Sequence, residues 1–165
     1  MNTGVISSRY AKALLMLVDK TGGGERAFDQ ARALLSGAEE GTPQWAPLSG
    51  GLCPEISSLV LLMRRKGRSE HLRLTLTHFV RLWCEENDVH LVHLRSAVPS
   101  EELEKRVEAA VASRFGGKVI MDSRTDPELI GGFVYDVDDY MLDSSVRTQL
   151  ERIRRQLTSN TERLV

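Results

Sequence analysis

Aromatic side chains are scarce, with Phe, Tyr and Trp making up only 5% of the 165 residues. Any core must therefore be built from Leu, Val, Ile and Ala. Cysteine is nearly absent too: Cys53 and Cys84 stand apart with no Cys-x-x-Cys spacing. They read as reduced, part-buried thiols of a cytosol-facing protein rather than as a disulfide. Neither sign of charge dominates, because 22 Lys and Arg face 23 Asp and Glu for a net charge of −1. That balance creates no global field to draw in nucleic acid or an anionic membrane. Long apolar runs are missing as well. The unbroken run in the first helical segment, Ala13–Val18, is six residues, whereas a bilayer span needs about 20. The opening Met1-Asn2-Thr3-Gly4 has neither the charged start and apolar stretch of a signal peptide nor an Arg-rich transit pattern. Hydrophobic residues at 41% and charged residues at 27% are globular usage, which sets aside disordered and collagen-like classes.

What is present is helical periodicity. Ile6, Tyr10, Ala13, Leu14 and Leu17 recur at the spacing of one helix face, and Ala11, Leu15 and Val18 form a second stripe beside it. A helix apolar on two sides must be covered on both, by its own domain or by another chain. Thr21-Gly22-Gly23-Gly24 ends it, and Glu25 to Leu35 resumes the helical spacing through Phe28 and Ala31. Residues 36–54 hold Gly37, Gly41, Pro43, Pro47, Gly50, Gly51 and Pro54 and read as a breaker-rich loop. A third helix is predicted over Glu55 to Lys66, with Ile56, Leu59, Val60 and Met63 on its stripe. A fourth is predicted over Ser69 to Asn87, facing inward with Leu72, Leu76, Phe79, Val80 and Trp83.

The period changes at Val89. Residues 89–98 alternate as a strand with both faces partly covered. Ser100, followed by Glu101 and Glu102, opens a helix whose buried stripe is Leu103, Val107, Ala110 and Val111. Lys118–Asp122 and Ile130–Val137 read as two more strands, and Asp138-Asp139 turns the chain into a short one at Tyr140–Leu142. Asp143 and Ser144 lead into a last helix with Val146, Leu150, Ile153 and Leu157 in register. The expected fold class is α+β: an all-α helical bundle over 1–88, then a small α/β domain over 89–165.

The residues offer no catalyst. His90 and His93, three apart on a strand, point to opposite faces and cannot share a metal. Asp136, Asp138, Asp139 and Asp143 lack the Gly and closing Glu of a calcium loop, so they read as turn and cap chemistry. Thr21-Gly22-Gly23-Gly24 lacks the Gly-Lys-Ser/Thr ending of a phosphate loop. No nucleophile–base arrangement is recognisable. No catalytic, cofactor-binding or metal site is therefore expected. The basic clusters Arg64-Arg65-Lys66-Gly67-Arg68 and Arg152-Arg154-Arg155 leave one alternative open, a small RNA-binding adaptor that touches phosphates with basic helix ends.

Three stretches carry a family likeness. They are Arg9-Tyr10-Ala11-Lys12-Ala13-Leu14, Leu61-Leu62-Met63-Arg64-Arg65-Lys66-Gly67-Arg68, and Gly131-Gly132-Phe133-Val134-Tyr135 through Leu142-Asp143-Ser144-Ser145-Val146-Arg147 to Leu150-Glu151-Arg152-Ile153. Together they resemble the delta subunit of bacterial F-type ATP synthases, whose mitochondrial counterpart is the oligomycin-sensitivity-conferring protein. Ser144 stands where that family usually has Gly, and Asp138 where it often does. The resemblance implies a non-enzymatic stator subunit, linking the catalytic head to the peripheral stalk and resisting rotational torque during proton-driven ATP synthesis. It implies that the N-terminal bundle holds an alpha-subunit N-terminal helix, for which Tyr10, Ala13, Leu14, Leu17 and Leu62 are the expected lining. The C-terminal domain would meet the b subunit of the stalk, with Val146, Leu150, Ile153 and Leu157 as the expected contact. The implied location is peripheral, at the cytoplasmic face of a bacterial inner membrane, with no nucleic acid and no direct membrane insertion.

Overall fold

The computed structural model describes residues 3–39 and 51–161; Trp45 and most of the expected loop lie outside them. The chain divides into two compact units, Met1–Asn87 and Asp88–Val165.

The first unit is helical. Its elements are α1 (Thr3–Thr21), α2 (Gly24–Glu39), α3 (Pro54–Arg65), a 3₁₀ turn (Ser69–His71) and α4 (Leu72–Asn87). The α2 helix therefore runs past the expected stop at Leu35, and α4 begins three residues later than the predicted Ser69. The α1 helix packs chiefly on α4, with α2 and α3 alongside. Its buried residues are Ser7, Ala11, Leu14, Leu15 and Val18, so the core stripe is the one that the sequence presents as secondary. Small side chains decide this. Ser7, Ala11, Ala27 and Ala31 are fully buried, which lets helix axes approach closely where Phe79, Leu76 and Phe28 fill the remaining volume. Phe28 stacks on Trp83 with ring centroids 4.2 Å apart.

The glycine run between α1 and α2 does two jobs. Gly22 takes φ +67° and sends its N–H back to Val18 O at 2.9 Å, ending α1. A Cβ on Gly24 would lie 3.0 Å from Trp83 Nε1, so this position keeps the turn pressed onto α4.

The second unit contains β1 (Val89–Ser96), α5 (Glu101–Phe115), β2 (Lys118–Thr125), a 3₁₀ turn (Pro127–Leu129), β3 (Phe133–Val137), β4 (Tyr140–Asp143) and α6 (Val146–Thr161). The strands form one mixed sheet in the order β2-β1-β3-β4. The β1 and β2 strands are parallel, which requires a crossover, and α5 supplies it. The β3 strand runs antiparallel to both β1 and β4. Ser100 caps α5 by accepting from Leu103 N at 3.3 Å, and Glu101, Glu102 and Glu104 occupy its first turn. Val92, Leu94, Val107, Val111 and Val137 form the core, flanked by Leu103, Val119, Met121, Phe133 and Tyr135.

The predicted strand at Ile130–Val137 is shorter in the structure. Ile130, with φ +66°, closes the 3₁₀ turn, and Gly132 at φ +77° brings the chain within reach of Ser144. Pairing therefore starts only at Phe133. The β2 strand extends past the expected Asp122 to Thr125, because its parallel register with β1 continues to Ser96↔Thr125.

Candidate docking surfaces

The expected head-binding residues fall on different depths of the first unit. Leu14 is 2% exposed and belongs to the core. Ile6, Tyr10, Ala13 and Leu17 lie beside that core on one flank of α1, where Tyr10 is half-buried, Ala13 is exposed and Leu17 is 38% exposed. Leu62 is 45% exposed on α3. Arg68 fixes Tyr10: its Nη1 donates to the phenol oxygen at 3.0 Å, and its guanidinium sits 5.9 Å from the ring centroid. Nothing in the spacing of residues 10 and 68 announces that contact. Leu61, which the sequence places beside the α3 stripe with Leu62, is exposed too, as are Val5 and Met16, which the sequence stripes left unassigned.

Glu55 is a buried carboxylate that the sequence shows only as a helix start. Its pKa is lowered, first by its own backbone amide and then by the Thr21 hydroxyl, with Arg26 adding attraction. It thereby ties the end of α1 to the start of α3. Beside it, burial pushes the Cys53 thiol pKa up, and Gln30 Oε1 accepts from Cys53 N at 2.7 Å.

In the second unit, Val146 is half-buried, while Leu150, Ile153 and Leu157 are 51%, 52% and 65% exposed. The start of this helix is tightly organised. Ser145 N donates to Asp143 Oδ1 at 2.8 Å, Thr148 N to Ser145 Oγ at 3.2 Å, and Thr148 Oγ1 to Asp143 Oδ2 at 2.8 Å. These bonds, led by the Ser145 amide, lower the Asp143 pKa. Ser145 is therefore the cap, whereas Ser144 closes onto Phe133 O through its N–H at 2.9 Å.

Both histidines of β1 pair with aspartates, although the buried His90 Nε2 has no hydrogen-bond partner among the described residues. His90 Nδ1 lies 2.7 Å from Asp138 Oδ2, and His93 Nδ1 lies 3.2 Å from Asp122 Oδ2. Asp138 adopts φ +51° in the β3–β4 turn. No cluster of three or more His, Cys, Asp or Glu among the described residues could hold a metal. A shallow cleft of about 680 Å³ at the α1–α2 turn is lined by Asp19, Glu25, Arg26, Asp29, Trp83 and Asn87. It pairs charges of both signs with no nucleophile. No helix among the described residues is long and apolar enough to cross a membrane.

Each unit thus leaves an exposed apolar stripe on a helix, and similarity to known proteins gives the family. The family model for the ATP synthase delta (OSCP) subunit matches residues 46–157. The chain belongs to that family. It is 27% identical over its full length to the full-length ATP synthase subunit delta of Phocaeicola vulgatus. It is 30% identical to that of a Geobacter species, with 93% of this chain and 97% of the relative covered. The fold resembles a chain in the mitochondrial ATP synthase hexamer of Toxoplasma gondii, with TM-score 0.65 and 18% identity over 92% of this chain and 97% of that one. As a delta-family member it is a non-catalytic stator subunit of an F-type ATP synthase and associates with other subunits of that membrane-associated complex. The RNA-adaptor alternative finds no support here. Arg68 is engaged with Tyr10, and Arg155 reaches Glu151 at 4.0 Å.

Proposed function

We propose that the first unit holds an N-terminal helix of an alpha subunit, and that the second unit holds the b subunit of the peripheral stalk. One observation supports this above the others: each unit completes its own core and still leaves a helix with an exposed apolar stripe. On α1 and α3 the stripe comprises Tyr10, Ala13, Leu17 and Leu62, with Leu14 assigned to the core beneath. An amphipathic helix laid on them would add its apolar face to theirs, a helix-in-groove mode. On α6 the stripe comprises Leu150, Ile153 and Leu157, with Val146 at its root.

Such a clamp works passively. Rotation pulls the head around, and a connector gripped at both ends passes that load to the stalk. In the complex the chain would sit peripherally at the cytoplasmic face of the inner membrane.

The test is Ala13→Asp. Ala13 is exposed, so the change should leave stability within about 0.5 kcal/mol of wild type. A buried carboxylate against a docked helix should weaken an alpha-subunit N-terminal peptide by about tenfold or more in calorimetry. Unchanged peptide affinity would remove this flank of α1 from the head contact.

A further inference from the structure

The exposed flank of α1 is bordered by charge of one sign. Residues 3–21 and 54–68 carry seven Lys and Arg against two carboxylates, Asp19 and Glu55, in a chain whose net charge is −1. Neither carboxylate stands at the flank. Glu55 is buried at the start of α3, and Asp19 lines the cleft at the α1–α2 turn. Glu70, just beyond this segment, turns to His71 at 3.4 Å.

The cations are placed with the apolar stripe. Arg9 stands four residues before Ala13 and Lys20 three after Leu17, so each is a surface neighbour of the stripe on α1. On α3, Arg65 follows Leu61 by four residues and Leu62 by three. The Arg68–Tyr10 contact joins the two groups. Arg68 N donates to Met63 O at 2.9 Å and Gly67 N to Arg64 O at 3.1 Å, so the end of α3 closes beside Tyr10. Arg9, Lys20, Arg64, Arg65 and Lys66 are all exposed and have no carboxylate partner among the described residues. Helix dipoles account for only part of this charge. Arg64 and Arg65 complement the C-terminus of α3, and Lys20 that of α1. Arg9 lies in the second turn of α1, where a cation gains nothing from the dipole.

We propose that this basic rim selects the docked helix by charge: the helix lying on Tyr10, Ala13, Leu17 and Leu62 carries carboxylates beside its own apolar face. Those carboxylates meet Arg9 and Lys20 along one border and the end of α3 along the other. The proposal rests on the assignment of this flank to the head contact and adds what the head's helix must carry. The apolar stripe supplies the contact area. Exposed ion pairs are individually weak, and their part is to steer the encounter and reject wrong partners. A second copy docking by the same surface would set these cations against themselves. A nucleic acid would meet the cations but leave the apolar stripe uncovered, and Tyr10, held by Arg68, is the one aromatic ring in that stripe.

The experiment uses the full chain and, as probe, an N-terminal peptide of the alpha subunit from the same complex, followed by calorimetry. Arg9→Glu combined with Arg65→Glu should weaken the peptide about fivefold or more. Both side chains are exposed, so Tm should stay within about 2 °C of wild type. Lys12→Glu reverses a charge of the same helix about 100° away from Ala13 and should leave affinity within twofold. A tenfold rise in salt shortens the Debye length about threefold; it should weaken the wild type about threefold or more, and the double variant less. A peptide with every Asp and Glu replaced by Asn and Gln should also bind the wild type about fivefold more weakly, which no folding defect can imitate. Binding within twofold for the double variant or for the neutralised peptide overturns the rim and leaves the head contact standing. Equal losses for Lys12→Glu and the double variant do the same. Displacement of the peptide by an equal concentration of single-stranded RNA overturns the rim in favour of a nucleic acid. Failure of the wild type to bind either form of the peptide removes the head assignment itself.

Discussion

Helices α1 and α6 are both amphipathic, yet they are held in place by different physics. The α1 helix buries Ser7, Ala11, Leu14, Leu15 and Val18 against its own unit, so tertiary packing stabilises it and its exposed flank is surplus. The α6 helix leaves Leu150, Ile153 and Leu157 in solvent. It relies on local devices: the Ser145 cap, the Asp143 carboxylate, and the i, i+4 pair of Arg147 with Glu151 at 3.7 Å. The contrast teaches that an apolar stripe does not by itself mean core. On one helix the stripe is divided between core and surface, and on the other it is almost wholly surface.

The contrast can be broken from either side. Phe79 is fully buried beneath α1, so Phe79→Ala should cost about 3–5 kcal/mol in denaturant unfolding of the first unit. Ile153→Ala should stay within about 0.5 kcal/mol; a large loss there would mean that α6 packs its stripe internally after all. Next in size is the cap. Ser145→Ala removes the acceptor for Thr148 N and should cost about 1 kcal/mol, read as lost amide-exchange protection confined to the first turns of α6.

The smallest effects are those of pH. Glu55 and Asp143 both have folded pKa values below the ordinary carboxylate range. Each therefore binds its proton less readily folded than unfolded, and stabilises the fold fully above the unfolded pKa. That contribution is lost as pH falls through the folded value, so stability should decline from about pH 5 downward. Glu55→Gln should flatten the acid limb for the first unit, and Asp143→Asn should flatten it for α6 helicity. Acid limbs unchanged in both variants would assign the decline to other carboxylates.

Much of the fold could be read before the structure. The strand beginning at Val89, the Ser100 cap and the Asp138-Asp139 turn follow from alternation, capping preference and turn chemistry, which act over a few residues. The family likeness in Gly131–Ile153 fell within the matched region. Other features were hidden for identifiable reasons. Ser7 is fully buried, yet a serine counts as polar in any periodicity, so the true core stripe of α1 looked like the minor one. Arg68 reaches Tyr10 across 58 positions of chain, and no local rule carries that distance. The strand expected from Ile130 onward gave no hint of the positive φ at Ile130 and Gly132 that delays pairing to Phe133.

The amino-acid order alone carried the helices and strands of both units and the family likeness, because each of these rests on residue type and near-neighbour spacing. Only tertiary structure decided which side of α1 faces inward, that Glu55 is buried, and that the α6 stripe stays in solvent. Those outcomes depend on which surfaces fit against one another, and two apolar stripes on one helix look equally buriable until the small residues on a partner helix choose between them.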